Sequence, residues 1–175
     1  LRIETIKPNR LKINLDLPED YLSLYNVNNL NLSAEWLTGG NPGGLKATVE
    51  ATVYENYKQV VFDKFSSYNF VSKGTQNNNV SNNTINLFNS NLNGLGNTNI
   101  SLKPLKDAGI TNISKVNFVT KVFEKGGDFS ISSSLIKVSP YKQYIGVKYP
   151  STDDYFYAGI DNTFDVVVVS EDGNL

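Results

Sequence analysis

The groups in this sequence best suited to chemistry are three sets of carboxylates: Asp153 with Asp154, Asp161 with Asp165, and Glu171 with Asp172. Paired acids can hold a divalent cation or divide acid and base work between them. Asp153 and Asp154 adjoin Tyr155, Phe156 and Tyr157, a combination that also suits a sugar site. Adjacent residues of an extended chain point to opposite sides, however, so this pair does not readily share one ion, and a solvated loop accounts for it. No Asp-x-Asp-x-Asp-Gly spacing organises the other two sets, and turn formation explains them more simply. The glycine run at residues 39–44 lacks the Lys-Ser/Thr of a phosphate cradle and leads into a strand pattern rather than a helix, so it reads as a turn. Tyr54, Tyr57, Tyr68 and Phe70 interleave with charged residues, as a carbohydrate-binding face would require. Tyrosine is equally a good strand former that packs across strands.

What is missing narrows the field further. The chain has no Cys, no His and no Met. It therefore has no disulfide framework, no thiol nucleophile and no Ser-His relay, and it lacks the commonest metal ligand. The expectation is a non-enzyme with no catalytic, cofactor-binding or metal-ligating residue and no cofactor. Formal net charge is -1 and no basic block exceeds a pair, which argues against a nucleic-acid partner. There is neither an apolar run of membrane-spanning length nor a signal peptide, so no membrane contact by this chain is expected. With no Met, and with residue 1 opening into a strand-like run, the chain is expected to be part of a longer protein.

The elements that must position these residues follow from hydrophobic periodicity. Leu11, Ile13, Leu15 and Leu17 alternate with polar residues. So do Leu30, Leu32, Ala34 and Trp36, and then Leu45, Ala47, Val49, Ala51 and Val53. Period two marks half-buried strands. Further strands are expected at 58–63, 67–72, 84–89, 98–103, 115–123 and 129–138, with turns at 39–44, 72–74 and 126–128. Residues 18–25 and 104–108 read as a turn or two of helix, the second stopped by Gly109. The Asn-rich stretch 76–99 predicts surface loops near 75–83 and 90–98, because Asn disfavours strands. The Val run 166–169 suits a strand buried on both faces, and Asp172-Gly173 signals a hairpin turn. Together these predict an all-β sandwich of seven or more short strands over residues 1–139, with a C-terminal β extension over 140–175. Leu11, Leu32, Trp36, Val49, Val53, Phe118, Val122 and Ile131 are the expected core. Losing Trp36 from such a core should cost about 3–5 kcal/mol.

Three ordered segments resemble the macroglobulin (MG) domains of bacterial alpha-2-macroglobulins. The run Trp36-Leu37-Thr38-Gly39-Gly40-Asn41-Pro42-Gly43-Gly44-Leu45-Lys46-Ala47 is similar to their strand-turn-strand signature, with one residue inserted before Pro42. Residues 7–13 resemble an opening strand, and residues 122–130 a closing hairpin. Residues 141–148 and 164–173 are similar to the opening of a following MG domain. The resemblance implies a seven-stranded antiparallel β-sandwich, fibronectin-III- or immunoglobulin-like, serving as a structural module of an extracytoplasmic, membrane-anchored endopeptidase inhibitor of the periplasm or cell surface, often a lipoprotein. Its implied partners are neighbouring MG-like domains and the proteases that the full-length protein traps. Many members carry a Cys-Gln thioester; a chain without Cys has none. The alternatives are a cell-surface adhesion or carbohydrate-binding module, or an accessory domain of an envelope hydrolase.

Overall fold

The computed structural model describes residues 8–54, 62–70, 81–150, 158–159 and 161–175. Asp153, Asp154, Tyr155, Phe156, Tyr157, Tyr57, the turn 72–74 and the greater part of the strand expected at 58–63 lie outside them. The period-two runs become strands. In β4 (Lys46–Tyr54), Ala47, Val49, Ala51 and Val53 are all buried, while Lys46 and Tyr54 are exposed. A strand with one apolar parity must lay that face on a second layer, and two sheets here do so. One sheet has the order β1-β3-β6: β1 (Leu11–Leu15), β3 (Asn29–Trp36) and β6 (Asn97–Ser101) are antiparallel throughout. The other sets β2 (Tyr21–Ser23), β8 (Phe129–Ser139), β7 (Ser114–Phe123), β4 and β5 (Ser81–Asn91) side by side in that order, with β5, β7 and β8 antiparallel around β4. The core between them joins Leu11, Leu32 and Ile100 from the first sheet to Val49, Val53, Phe118 and Val122 from the second. The fold is an immunoglobulin-like β-sandwich, as expected, with eight described strands where seven were expected.

Several local expectations are corrected. The helical turn expected at 18–25 is extended: β2 (Tyr21–Ser23) pairs in parallel with β8 at Lys137, Val138 and Ser139. Leu22 and Leu24 reach the core two residues apart, a strand spacing that outweighs the helix-start signal of Pro18. The second helix does form, as α1 (Lys103–Asp107), with Leu105 in the core and Gly109 at φ +72 just beyond its end. The strand expected at 84–89 within the Asn-rich stretch forms as β5 and is longer than expected, running from Ser81 to Asn91. An irregularity between Val49 and Glu50 lets Leu87 and Phe88 both approach the core, which plain alternation does not allow.

Of the eight expected core residues, two are placed differently. Trp36 lies on the expected face but is only half-buried, at the end of β3, with the Arg10 guanidinium 5.7 Å from its ring centre. Ile131 is exposed. β8 carries apolar residues on both parities, and its register with β7 turns Ser130, opposite Val122, inward and Ile131 outward.

After β8 the chain forms a two-stranded antiparallel ribbon, β9 (Gln143–Lys148) with β10 (Asp165–Ser170). Only one face of the Val run is covered. Val167 and Val169 are buried, whereas Val166 and Val168 are exposed, because a single ribbon has a single packed face. Asp172-Gly173 closes a turn back onto Ser170, with the Gly173 amide donating to the Ser170 carbonyl at 2.9 Å and the Ser170 amide to the Asn174 carbonyl at 2.8 Å, the chain reversal expected of a hairpin turn.

Candidate functional site

The carboxylates singled out from the sequence are not brought together. Asp161 is exposed, and Asp165 faces Lys148 at 4.0 Å across the ribbon, with both side chains largely in solvent. Glu171 is half-buried, and its Oε2 is shielded from solvent without a hydrogen bond. The Asp172 carboxylate accepts from Ser170 Oγ at 2.5 Å, from the Asn174 amide at 3.1 Å and from Asn174 Nδ2 at 2.7 Å. The Ser170 hydroxyl first, then the two Asn174 donors, hold the Asp172 pKa below its ordinary value. Such an acid organises a turn rather than presenting itself to substrate. Among the described residues no three acids stand close enough to hold a metal ion.

The glycine run is the β3–β4 turn. Gly39 and Gly40 take φ values of +90 and +98, and the Trp36 amide donates to the Gly40 carbonyl at 3.1 Å, so the chain reverses where only glycine is unstrained. The aromatic set is also divided. Tyr54 is exposed on the outer side of β4, Tyr68 is half-buried edge-to-face on Phe65, and Phe70 is buried against Phe62. Tyr54, Tyr68 and Phe70 therefore do not share one exposed carbohydrate-binding face.

What the structure does assemble is the junction between sandwich and ribbon. Phe62, Phe70, Tyr144, Val167 and Val169 form a second small core, separate from that of the sandwich. Its two phenylalanines come from the β4–β5 connection, where Asp63–Phe65 is a single 3-10 turn rather than strand and Asn69 bridges to Val147 of β9. Ser139, the last residue of β8, ties the other end. Its hydroxyl donates to the Tyr141 carbonyl at 2.9 Å, which leaves its oxygen to accept from the Tyr144 hydroxyl at 2.7 Å. Burial raises the Tyr144 pKa, against the opposing effect of that Ser139 hydrogen bond. Beside the junction lies an open cleft of about 510 Å³, lined among others by Leu24, Tyr25, Ile110 and Tyr141. The one charged group in its lining, Lys106, is engaged with Asn28 Oδ1 at 2.6 Å. The junction was missed in the sequence because Phe62, Phe65, Tyr68 and Phe70 fit no single period. The available signal was an aromatic cluster inside an otherwise polar connection.

A junction built of packing and hydroxyl pairs positions neighbouring elements. The family described as the bacterial alpha-2-macroglobulin MG5 domain matches residues 9–130. The chain belongs to this family. The match runs from just before β1 into the start of β8, so the ribbon lies beyond it. Among curated proteins the sequence finds no match. Solved alpha-2-macroglobulins share the fold. The native conformation of the E. coli protein superposes with a TM-score of 0.58 at 16% identity, covering 97% of this chain and 11% of that one. The Salmonella protein reacted with methylamine gives 0.51 at 15% identity, covering 98% and 12%. The E. coli protein activated by porcine elastase gives 0.50 at 16% identity, covering 96% and 15%. The MG5-family chain thus spans between 11% and 15% of the length of the alpha-2-macroglobulins it resembles.

Proposed function

We propose that the chain is a non-catalytic structural module of an alpha-2-macroglobulin-like endopeptidase inhibitor. The match of the MG5 family over residues 9–130 carries the reading. A sequence with neither His nor Cys supports it, since the usual acyl-transfer machinery has no residues to draw on. In this reading residues 1–139 are one macroglobulin-like module and 140–175 open the next. The partners are neighbouring modules of the same polypeptide and, through the whole molecule, the proteases it traps. The setting is extracytoplasmic, in the periplasm or at the cell surface, with membrane anchorage supplied elsewhere in the protein. The contribution of the module is mechanical: a filled sandwich of fixed dimensions holds its neighbours at a set distance and angle.

A chimera tests this. The structurally equivalent segment of E. coli alpha-2-macroglobulin is replaced by this chain, and the product is mixed with porcine elastase. Retained trapping is the expected result, seen as protection of a large protein substrate while a small chromogenic substrate is still cleaved. A folded chimera that leaves hydrolysis of the large substrate undiminished would overturn the proposal.

A further inference from the structure

We infer that residues 62–70 are an internal docking element: the β4–β5 connection of the sandwich supplies the second layer of the β9–β10 ribbon and fixes its orientation. A two-stranded ribbon is marginal in water unless something covers an apolar face. Here the outer face leaves Ile145, Val166 and Val168 exposed, so stabilisation must come from the inner one. That inner face buries Tyr144, Val167 and Val169, and its buried cover is Phe62 and Phe70, with Phe65 and Tyr68 of the same segment and Ile113, just before β7, packed against them half-buried. The two rings meet edge-to-face with centroids 4.9 Å apart, and Phe62 lies 5.8 Å from Tyr144.

Three further contacts fit the segment to the ribbon. Asn69 and Val147 exchange two backbone hydrogen bonds, of 2.8 and 3.0 Å, so the connection adds one strand-like rung to the edge of β9. Lys64 Nζ donates to Asn174 Oδ1 at 3.0 Å in the turn after β10. Gly146 clears the approach: a Cβ there would lie 2.5 Å from the Phe70 ring. The ribbon is therefore shaped to receive this segment at its centre, its edge and its end. Because the ribbon lies beyond residues 9–130, the sandwich donates core to an element outside the stretch that defines its family. The angle between the sandwich and whatever packs on the ribbon is then set by this strap, in addition to the short link 140–142. The inference rests on contacts within this chain and is independent of the inhibitor reading.

Amide hydrogen exchange on the full chain tests it. In Phe62→Ala/Phe70→Ala, the Val147 amide and those of β10 should exchange at least about tenfold faster, while those of β4 and β7 change by less than about twofold. Gly146→Val displaces Phe70 without removing a ring and should give the same selective pattern. Ribbon amides that keep their rates in both variants, or sandwich and ribbon amides that accelerate together in both, overturn the assignment.

Discussion

Ser130 replaces a backbone pairing with a side chain. Its buried hydroxyl oxygen accepts from the amides of Arg10 and Leu11, at 3.0 and 3.1 Å, where β1 begins beside the free edge of β8. One residue on, the Asn9 carboxamide mimics a strand, accepting from the Ile131 amide at 3.0 Å and donating to its carbonyl at 2.9 Å. Ser130→Ala strands two amides, one of them buried, and should lower unfolding free energy in urea by about 1–3 kcal/mol. Asn9→Ala exposes its partners to water and should cost less. Equal losses would refute the burial argument. Two titrations belong at this scale. The Tyr144 pKa is raised above 10.0 by burial, so the fold favours the neutral phenol. That stabilisation is complete below pH 10 and is lost as pH rises through the folded-state value. Asp172 has the opposite sign. Its pKa lies below 3.8, so its contribution is present above that pH and is lost as acid brings the solution through the lowered value. A carboxyl titration followed by NMR should place Asp172 below its ordinary range, and Ser170→Ala should bring it back towards 3.8; no movement would remove the Ser170 hydroxyl as the main cause.

At the scale of elements, legibility followed the purity of the period. β3 carries its apolar side chains on one parity, and β4 does so up to its last residue, Tyr54, and there the residues alone assign both strand and face. β8 carries Phe129, Ile131 and Leu135 on one parity and Ile136 and Val138 on the other, so only its register with β7 decides which side is wet. The Asn-rich β5 was legible at its centre, 84–89, while its ends were concealed by composition, because propensity does not register the cross-strand pairing with β4 that holds them extended. Trp36 was legible in direction but not in depth, since its place at the end of β3 is a property of the assembled sheet. These positions imply an ordering of costs. Phe118, fully buried in β7, should lose about 3–5 kcal/mol on truncation to Ala, whereas Trp36→Ala, which removes a half-buried ring stacked under Arg10, should lose less. Chemical denaturation of both variants decides the point. A larger loss at Trp36 would return it to the centre of the core.

For the molecule as a whole, the two separate cores carry the consequence. The sandwich is closed by strands drawn from the whole stretch between Leu11 and Ser139, while the ribbon depends on five buried residues, two of them lent by the β4–β5 connection. The residues could announce the first core through repetition; the second joins segments far apart in the sequence, so no local pattern encodes it. Unfolding should accordingly proceed in two steps, the smaller core giving way at lower denaturant. Trp36 is the only tryptophan and sits at the end of β3, so its fluorescence reports the sandwich. Exchange of the β9 and β10 amides reports the ribbon. The ribbon transition should precede the fluorescence transition in urea, and the gap should widen above pH 10, where ionisation of Tyr144 acts on the smaller core. Coincident transitions at neutral and alkaline pH would mean that the strap couples the two cores into one cooperative unit, and the spacer would then be the entire chain rather than the sandwich alone.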